Sequence, residues 1–170
     1  MAAVSSSDHQ AGAAWHSAGS RVAIARVSCY LGAVAILVTG VAHIEQYAVD
    51  NYSTVPTIGT LFLLNFIGAI VIALGLVAPL RRVAGRYADA VRAVIALGGI
   101  ALGVLSLAGL FVSETAGLFG FVEHGYRMAI VVAIVAETAA TVFLATFLLA
   151  HGMGLHRDHQ TGAVRAAARP

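Results

Sequence analysis

The residue that most narrows the chemistry of this sequence is an acid inside an apolar run. Glu137 lies in the stretch Met128 to Ala150, where it is the sole charged residue. An ionisable side chain at that depth costs several kcal/mol if it faces lipid, so it must face other helices. The spacing agrees, because Ala133, Ala136, Glu137 and Ala140 share one face of a helix. Counting helical rise from one end of each run, Glu137 comes out about 14 Å deep and Asn65 about 12 Å, with Thr39 and Ser106 at about 8 and 9 Å. Two kinds of chemistry suit such a level. A protonated Glu137 can donate a hydrogen bond to Asn65 or a hydroxyl and fix the helix register. Alternatively, the four groups line an intramembrane polar site that holds a proton, a cation, a quinone head or another small polar ligand.

A second cluster gathers at the ends of the same runs: His43, Glu45, Glu114, Glu123, His124 and Arg127. Imidazole and carboxylate suit zinc or copper. The spacing does not, since there is no HxxxH or HExxH, and Glu123 and His124 are neighbours that a helix would splay apart. Pairing of His43 with His124 on a haem is sterically open, but axial histidines normally sit inside a bundle and not at its rim. No metal or other cofactor is therefore expected. Glu123 and Arg127 have the order and spacing of a helical ion pair, and Tyr47, Tyr52 and Tyr126 suit an interfacial aromatic belt. His151, His156 and His159 form a loose histidine-rich tract that reads as a solvated tail. Cys29, the single cysteine, reads as packing. Ser113, Glu114 and His124 lack a nucleophile elbow, so hydrolase chemistry is not indicated.

The elements that must position these groups follow from composition. The 170 residues are 59% hydrophobic and 11% charged, with a mean hydropathy of +0.88, against roughly 25% charged residues in a soluble domain. Four nearly uncharged runs, 27–44, 57–80, 93–112 and 128–150, span about 27 to 36 Å as helices, enough to cross a bilayer. The fold class predicted is an all-α integral membrane protein, a four-transmembrane-helix bundle over 21–150. Residues 1–20 are expected as a disordered tail and 151–170 as a second tail. A rival for the first run is a signal peptide cut before His43. Nine of the ten arginines fall in the two tails and the Arg81 to Arg92 segment, and only Arg127 on the other side. The positive-inside rule then makes both termini cytoplasmic in a multi-pass protein of the cell membrane. The arginines are read as anchors for membrane lipids, so nucleic acid is not an expected partner. Gly99, Gly103 and Ser106, Ala69 and Ala73, and the alanines around Glu137 form small-residue seams for packing within one bundle, with a homodimer as the rival use. The two halves of the chain show no internal duplication.

The stretch from Val55 to Phe66, with Pro56, Gly59 and Asn65, and the stretch from Ser113 to Arg127, with Gly120, Phe121, Glu123, His124 and Tyr126, resemble segments of uncharacterised four-span integral membrane proteins of high-GC Gram-positive bacteria. The resemblance covers residues 27 to 150 and implies a fold but no activity. Span count and the turn into the second span are also similar to DoxX-like membrane proteins. The resulting expectation is an accessory or assembly partner in the cell envelope, in a membrane-protein complex or a homodimer, without catalysis of its own. The alternative is binding or transport of a proton, cation, quinone or small polar ligand near Glu137 and Asn65.

Overall fold

The computed structural model describes residues 6–123, 125 and 127–167, with side chains over 19–123, 125 and 127–152. The helices run in order α1 (Ser6–Ala48), α2 (Ile58–Val77), the short α3 (Leu80–Ala84), α4 (Ala88–Thr115) and α5 (Met128–Ala167), with 3-10 turns at Tyr52–Thr54 and Gly85–Tyr87. Among the described residues the fold is all-α; the one β-type pairing is an isolated bridge between Leu118 and Phe121. Four segments, Gly19–Ala48, Ile58–Val77, Leu80–Thr115 and Met128–Gly152, are long and apolar enough to cross a membrane. They make the multi-pass helical bundle that the hydropathy pattern predicts.

The helix boundaries differ from those of the apolar runs for local reasons. α1 begins at Ser6, inside the segment expected as a disordered tail, where Ala11, Ala13, Ala14 and Ala18 favour helix. At its other end α1 continues past Ile44 to Ala48, which places His43 and Gln46 on the body of the helix. α2 stops at Val77, because Pro79 cannot donate a helical hydrogen bond. α5 likewise runs on into the segment expected as the second tail.

Small residues set the helix spacing. A Cβ added at Gly32 would stand 2.5 Å from the Leu144 side chain, and one at Gly99 2.6 Å from it, so Leu144 of α5 is gripped between α1 and α4. A Cβ at Gly40 would meet the Cβ of Ala69 at 2.8 Å, which brings α1 onto α2. Ala69, Ala73, Gly99, Gly103, Ala133, Ala136 and Ala140 are all buried. The seams read from the sequence are thus interhelical packing within the chain. α1 contacts α5 and α2 most extensively, whereas α2 and α4 touch each other least among the main neighbours.

Residues 49–57 and the described residues of 116–127 close one end of the bundle, called here the Tyr52 end; the segment from Arg81 to Arg92 lies at the other. At the Tyr52 end, Phe119 and Gly120 both have positive φ, 53° and 80°, in a tight turn where Leu118 and Phe121 exchange backbone hydrogen bonds of 2.7 and 2.9 Å. Two successive positive φ angles mark a primed turn, which reverses the chain within two residues. It turns the chain back, so that Leu118 and Phe121 line the space between the helices.

Candidate functional site

α1 carries Ile36, Thr39, His43 and Gln46, alternately three and four residues apart on one buried face. The His43 Nδ1 lies 2.9 Å from the backbone carbonyl of Thr39. A carbonyl can only accept, so Nδ1 carries the proton and donates, leaving Nε2 of the neutral ring as an acceptor. Ser106 of α4 meets that nitrogen at 3.1 Å, its hydroxyl donating. Phe62 of α2 packs edge-on against the imidazole, 5.1 Å between ring centres. The ring is thereby fixed from three sides by α1, α4 and α2.

Glu137 of α5 approaches the same nitrogen, with Oε1 3.7 Å from His43 Nε2, and the Ser106 hydroxyl is within hydrogen-bonding reach of its carboxyl group. Glu137 is 2% exposed, Asn65 8% and His43 5%. Glu137 Oε1, Asn65 Oδ1 and Thr39 Oγ1 are buried without a hydrogen bond. Glu137, Asn65, Ser106 and His43 face a cavity of about 300 Å³, at the small end of the range for ligand pockets. Aliphatic and aromatic side chains of α2, α4 and the 116–127 segment, among them Phe62, Leu102, Leu110 and Phe121, complete its wall.

Of the four residues placed at one level by helical rise, Glu137, Asn65 and Ser106 line the cavity and Thr39 does not, and two further differences stand out. His43, assigned from sequence to a rim cluster near water, belongs to the intramembrane group, because α1 extends one further turn beyond it. Asn65 makes no bond to Glu137; its amide oxygen has no hydrogen-bond partner, and the contacts of Glu137 are Ser106 and His43. Thr39 is buried on the same face of α1 and holds the histidine through its backbone, not its hydroxyl. The signal that would have found His43 is the three-four spacing from Ile36 to Gln46.

The rim cluster is reorganised around a residue that was read as belt. Tyr52 is buried, with its ring against Phe62 at 5.0 Å and Phe121 at 5.4 Å. Its hydroxyl donates to the Glu123 carboxylate and accepts from Arg127. Arg127 also pairs with Asp50 at 3.3 Å and with Glu123 at 3.7 Å. The Glu123–Arg127 pair exists, but in the segment before α5 and not on a helix. The backbone N–H of Glu123 donates to Ser113 Oγ at 3.1 Å, which ties this Tyr52–Glu123–Arg127–Asp50 cluster, called here the latch, to α4. Burial, then the hydrogen bond and charge of Glu123, push the Tyr52 phenol well above its ordinary range. Glu45 is exposed and Glu114 half-buried, and neither faces the cavity. His124 and Tyr126 lie outside the described residues, and with them the His43–His124 pairing. Among the described residues no three His, Cys, Asp or Glu side chains gather as a metal set. Cys29 is buried, with Sγ 3.8 Å from the Leu76 carbonyl, and His151 stacks on Phe147.

No family model, curated protein or solved structure matches the chain.

Proposed function

We propose that this protein is a ligand-binding protein of the cell membrane, with both termini cytoplasmic and the Tyr52 end outside, and that it holds one small molecule in the cavity beside Glu137. The observation that carries this reading is a buried carboxyl oxygen without a hydrogen bond on Glu137, a residue that lines that cavity. A group that only locked helix register would have its lone pairs satisfied by neighbouring helices, since an unpaired buried polar atom is costly. Asn65 Oδ1, on a second lining residue, repeats the pattern. Ser106 and the Thr39 carbonyl hold His43 in one tautomer, which fixes the position of the polar end before a ligand arrives. The orientation rests on the arginine asymmetry: Arg127 stands with the Tyr52 latch, and Arg81, Arg82, Arg86 and Arg92 stand at the opposite end.

The test compares the small molecules retained by the protein after mild extraction with those retained by Gly109→Leu. A Cβ at Gly109 would meet only Leu118, at 3.7 Å, so a larger side chain there grows into the cavity without displacing backbone. Native mass spectrometry should find a molecule bound to the wild type and about tenfold less of it on the filled variant, a loss of about 1.4 kcal/mol in affinity. Equal inventories from two equally stable proteins would refute the binding role. Function would then rest on the outer surface of the bundle, as for an assembly partner.

A further inference from the structure

The cavity has a closed end and a thin side. At the Tyr52 end it is capped by Phe121 and by Glu123, which is held in the latch with Tyr52, Arg127 and Asp50. On the side, three residues that line it also face outward: Leu61 is 40% exposed, Leu64 57% and Leu105 70%. They sit on α2 and α4, which touch each other less than α1 touches α5 or α2, or α4 touches α5. Within a bilayer that outward face meets lipid chains.

The polar end of the cavity is equally selective. Glu137 Oε1 and Asn65 Oδ1, both on side chains more than nine-tenths buried, have no hydrogen bond, and His43 Nε2 is an acceptor. Among the described residues the wall contains two acids, Glu137 and Glu123, and no arginine or lysine. A carboxylate or phosphate head would find no counter-charge there. An ammonium head would have to leave water for Glu137 alone, because Glu123 is already held by Tyr52 and Arg127, and the desolvation cost of such an exchange commonly exceeds the Coulombic gain. A neutral hydroxyl supplies the one donor that Glu137 Oε1 lacks, and it can accept from the Asn65 amide N–H in return. Apart from Gln46, Ser113 and Glu123, the remaining wall is apolar and suits an apolar body.

We propose, building on the binding role above, that the cavity takes a membrane-soluble molecule with an uncharged hydroxyl head (an alcohol, a phenol or a quinol) and receives it from the bilayer through the seam between α2 and α4. The head lies between Glu137 and Asn65, and the apolar body leaves past Leu61, Leu64 and Leu105.

The experiment uses the full chain in lipid nanodiscs and three probes with the same long alkyl chain bearing a diazirine: the alcohol, the carboxylic acid and the primary amine. The alcohol should label saturably, be displaced by unlabelled alcohol but not by the acid, and leave its adducts on α2 and α4 at the seam. Asn65→Leu and Glu137→Leu should each weaken alcohol labelling by about tenfold, the worth of one good hydrogen bond, with thermal stability confirming that both variants remain folded. Preferential labelling by the acid or the amine would overturn the hydroxyl class while leaving the binding role intact. Adducts confined to residues 116–127 would overturn the lateral route. Absence of saturable labelling by all three would overturn the inference as a whole; the binding role would then stand or fall separately, on the molecule retained by wild type but not by Gly109→Leu.

Discussion

Replacing Glu137 by leucine separates a helix lock from a ligand contact, because the structure assigns them opposite consequences. The substitution leaves the Ser106–His43 contact at 3.1 Å and the His43–Thr39 contact at 2.9 Å in place, and it strands nothing at Asn65, which has no bond to Glu137. What is lost is the Ser106 contact, and an interhelical polar contact in a membrane bundle averages about 0.6 kcal/mol. What is gained is relief from burying a polar group with an unsatisfied oxygen, a term of about 1 to 3 kcal/mol in the other direction. Glu137→Leu should therefore unfold within about 1 kcal/mol of wild type, or later, while its retention of the bound molecule drops about tenfold. The assay is reversible denaturation in bicelles, run beside mass-spectrometric quantification of the retained molecule. Glu137→Gln is the companion variant: it keeps an acceptor oxygen but cannot release a proton near neutral pH. Retention by Gln but not by Leu identifies a hydrogen-bonding role, and loss in both identifies a carboxyl group that must titrate. Destabilisation by Glu137→Leu of more than about 2 kcal/mol, with retention unchanged, would refute the reasoning and make Glu137 a structural lock.

Three further outcomes are expected. Leu144→Ala, which vacates the grip between Gly32 and Gly99, should cost about 2 to 5 kcal/mol in the same denaturation assay; a change below about 1 kcal/mol would mean that the helices close over the gap. In an alkaline titration followed by phenolate absorbance, the tyrosine that ionises last should disappear in Tyr52→Phe, since Tyr52 is held above the ordinary range. With the folded pKa raised, the neutral phenol favours the fold fully below the ordinary tyrosine pKa of about 10, and that contribution is lost as pH rises further, so unfolding in this window should be steeper for wild type than for Tyr52→Phe. On a Cys29→Ser background, a cysteine at the exposed Ser53 should react with an impermeant thiol reagent in intact cells, and one at the exposed Arg86 should not; the reverse pattern would invert the topology.

The bundle was legible because its cause is collective. Four apolar runs carry the same message at every position, and a one-residue error in a boundary leaves the number of crossings unchanged. Small-residue seams were readable for a related reason: at Gly99 and Gly103 close approach demands the absence of a side chain, and that absence is visible in the sequence. The boundaries were not readable from hydropathy, since helix propensity carries α1 through polar residues as readily as through apolar ones. It was at such a boundary that the reading of the site went wrong. Ending the first span at Ile44 put His43 at the rim, whereas one additional turn of helix makes it the centre of the polar group.

The latch illustrates a different limit. Tyr52, Asp50, Glu123 and Arg127 come from two segments about 70 residues apart, and nothing local distinguishes a buried tyrosine from one at a membrane interface. Their meeting depends on the turn at Phe119 and Gly120, whose backbone sends the chain back over the helix ends. Yet this latch is what gives the cavity its direction. With the Tyr52 end tied by an arginine, two carboxylates and a phenol, the least costly opening is the seam between α2 and α4, where glycines meet isoleucine and leucine side chains, and such a seam can part in hydrocarbon without exposing a backbone hydrogen bond. A molecule that reaches Glu137 by that path must already be dissolved in the membrane. The chemistry of the polar end and the geometry of the seam therefore favour the same proposed ligand, one apolar enough to travel in the bilayer, whose single hydroxyl would donate to Glu137 and accept from the Asn65 amide.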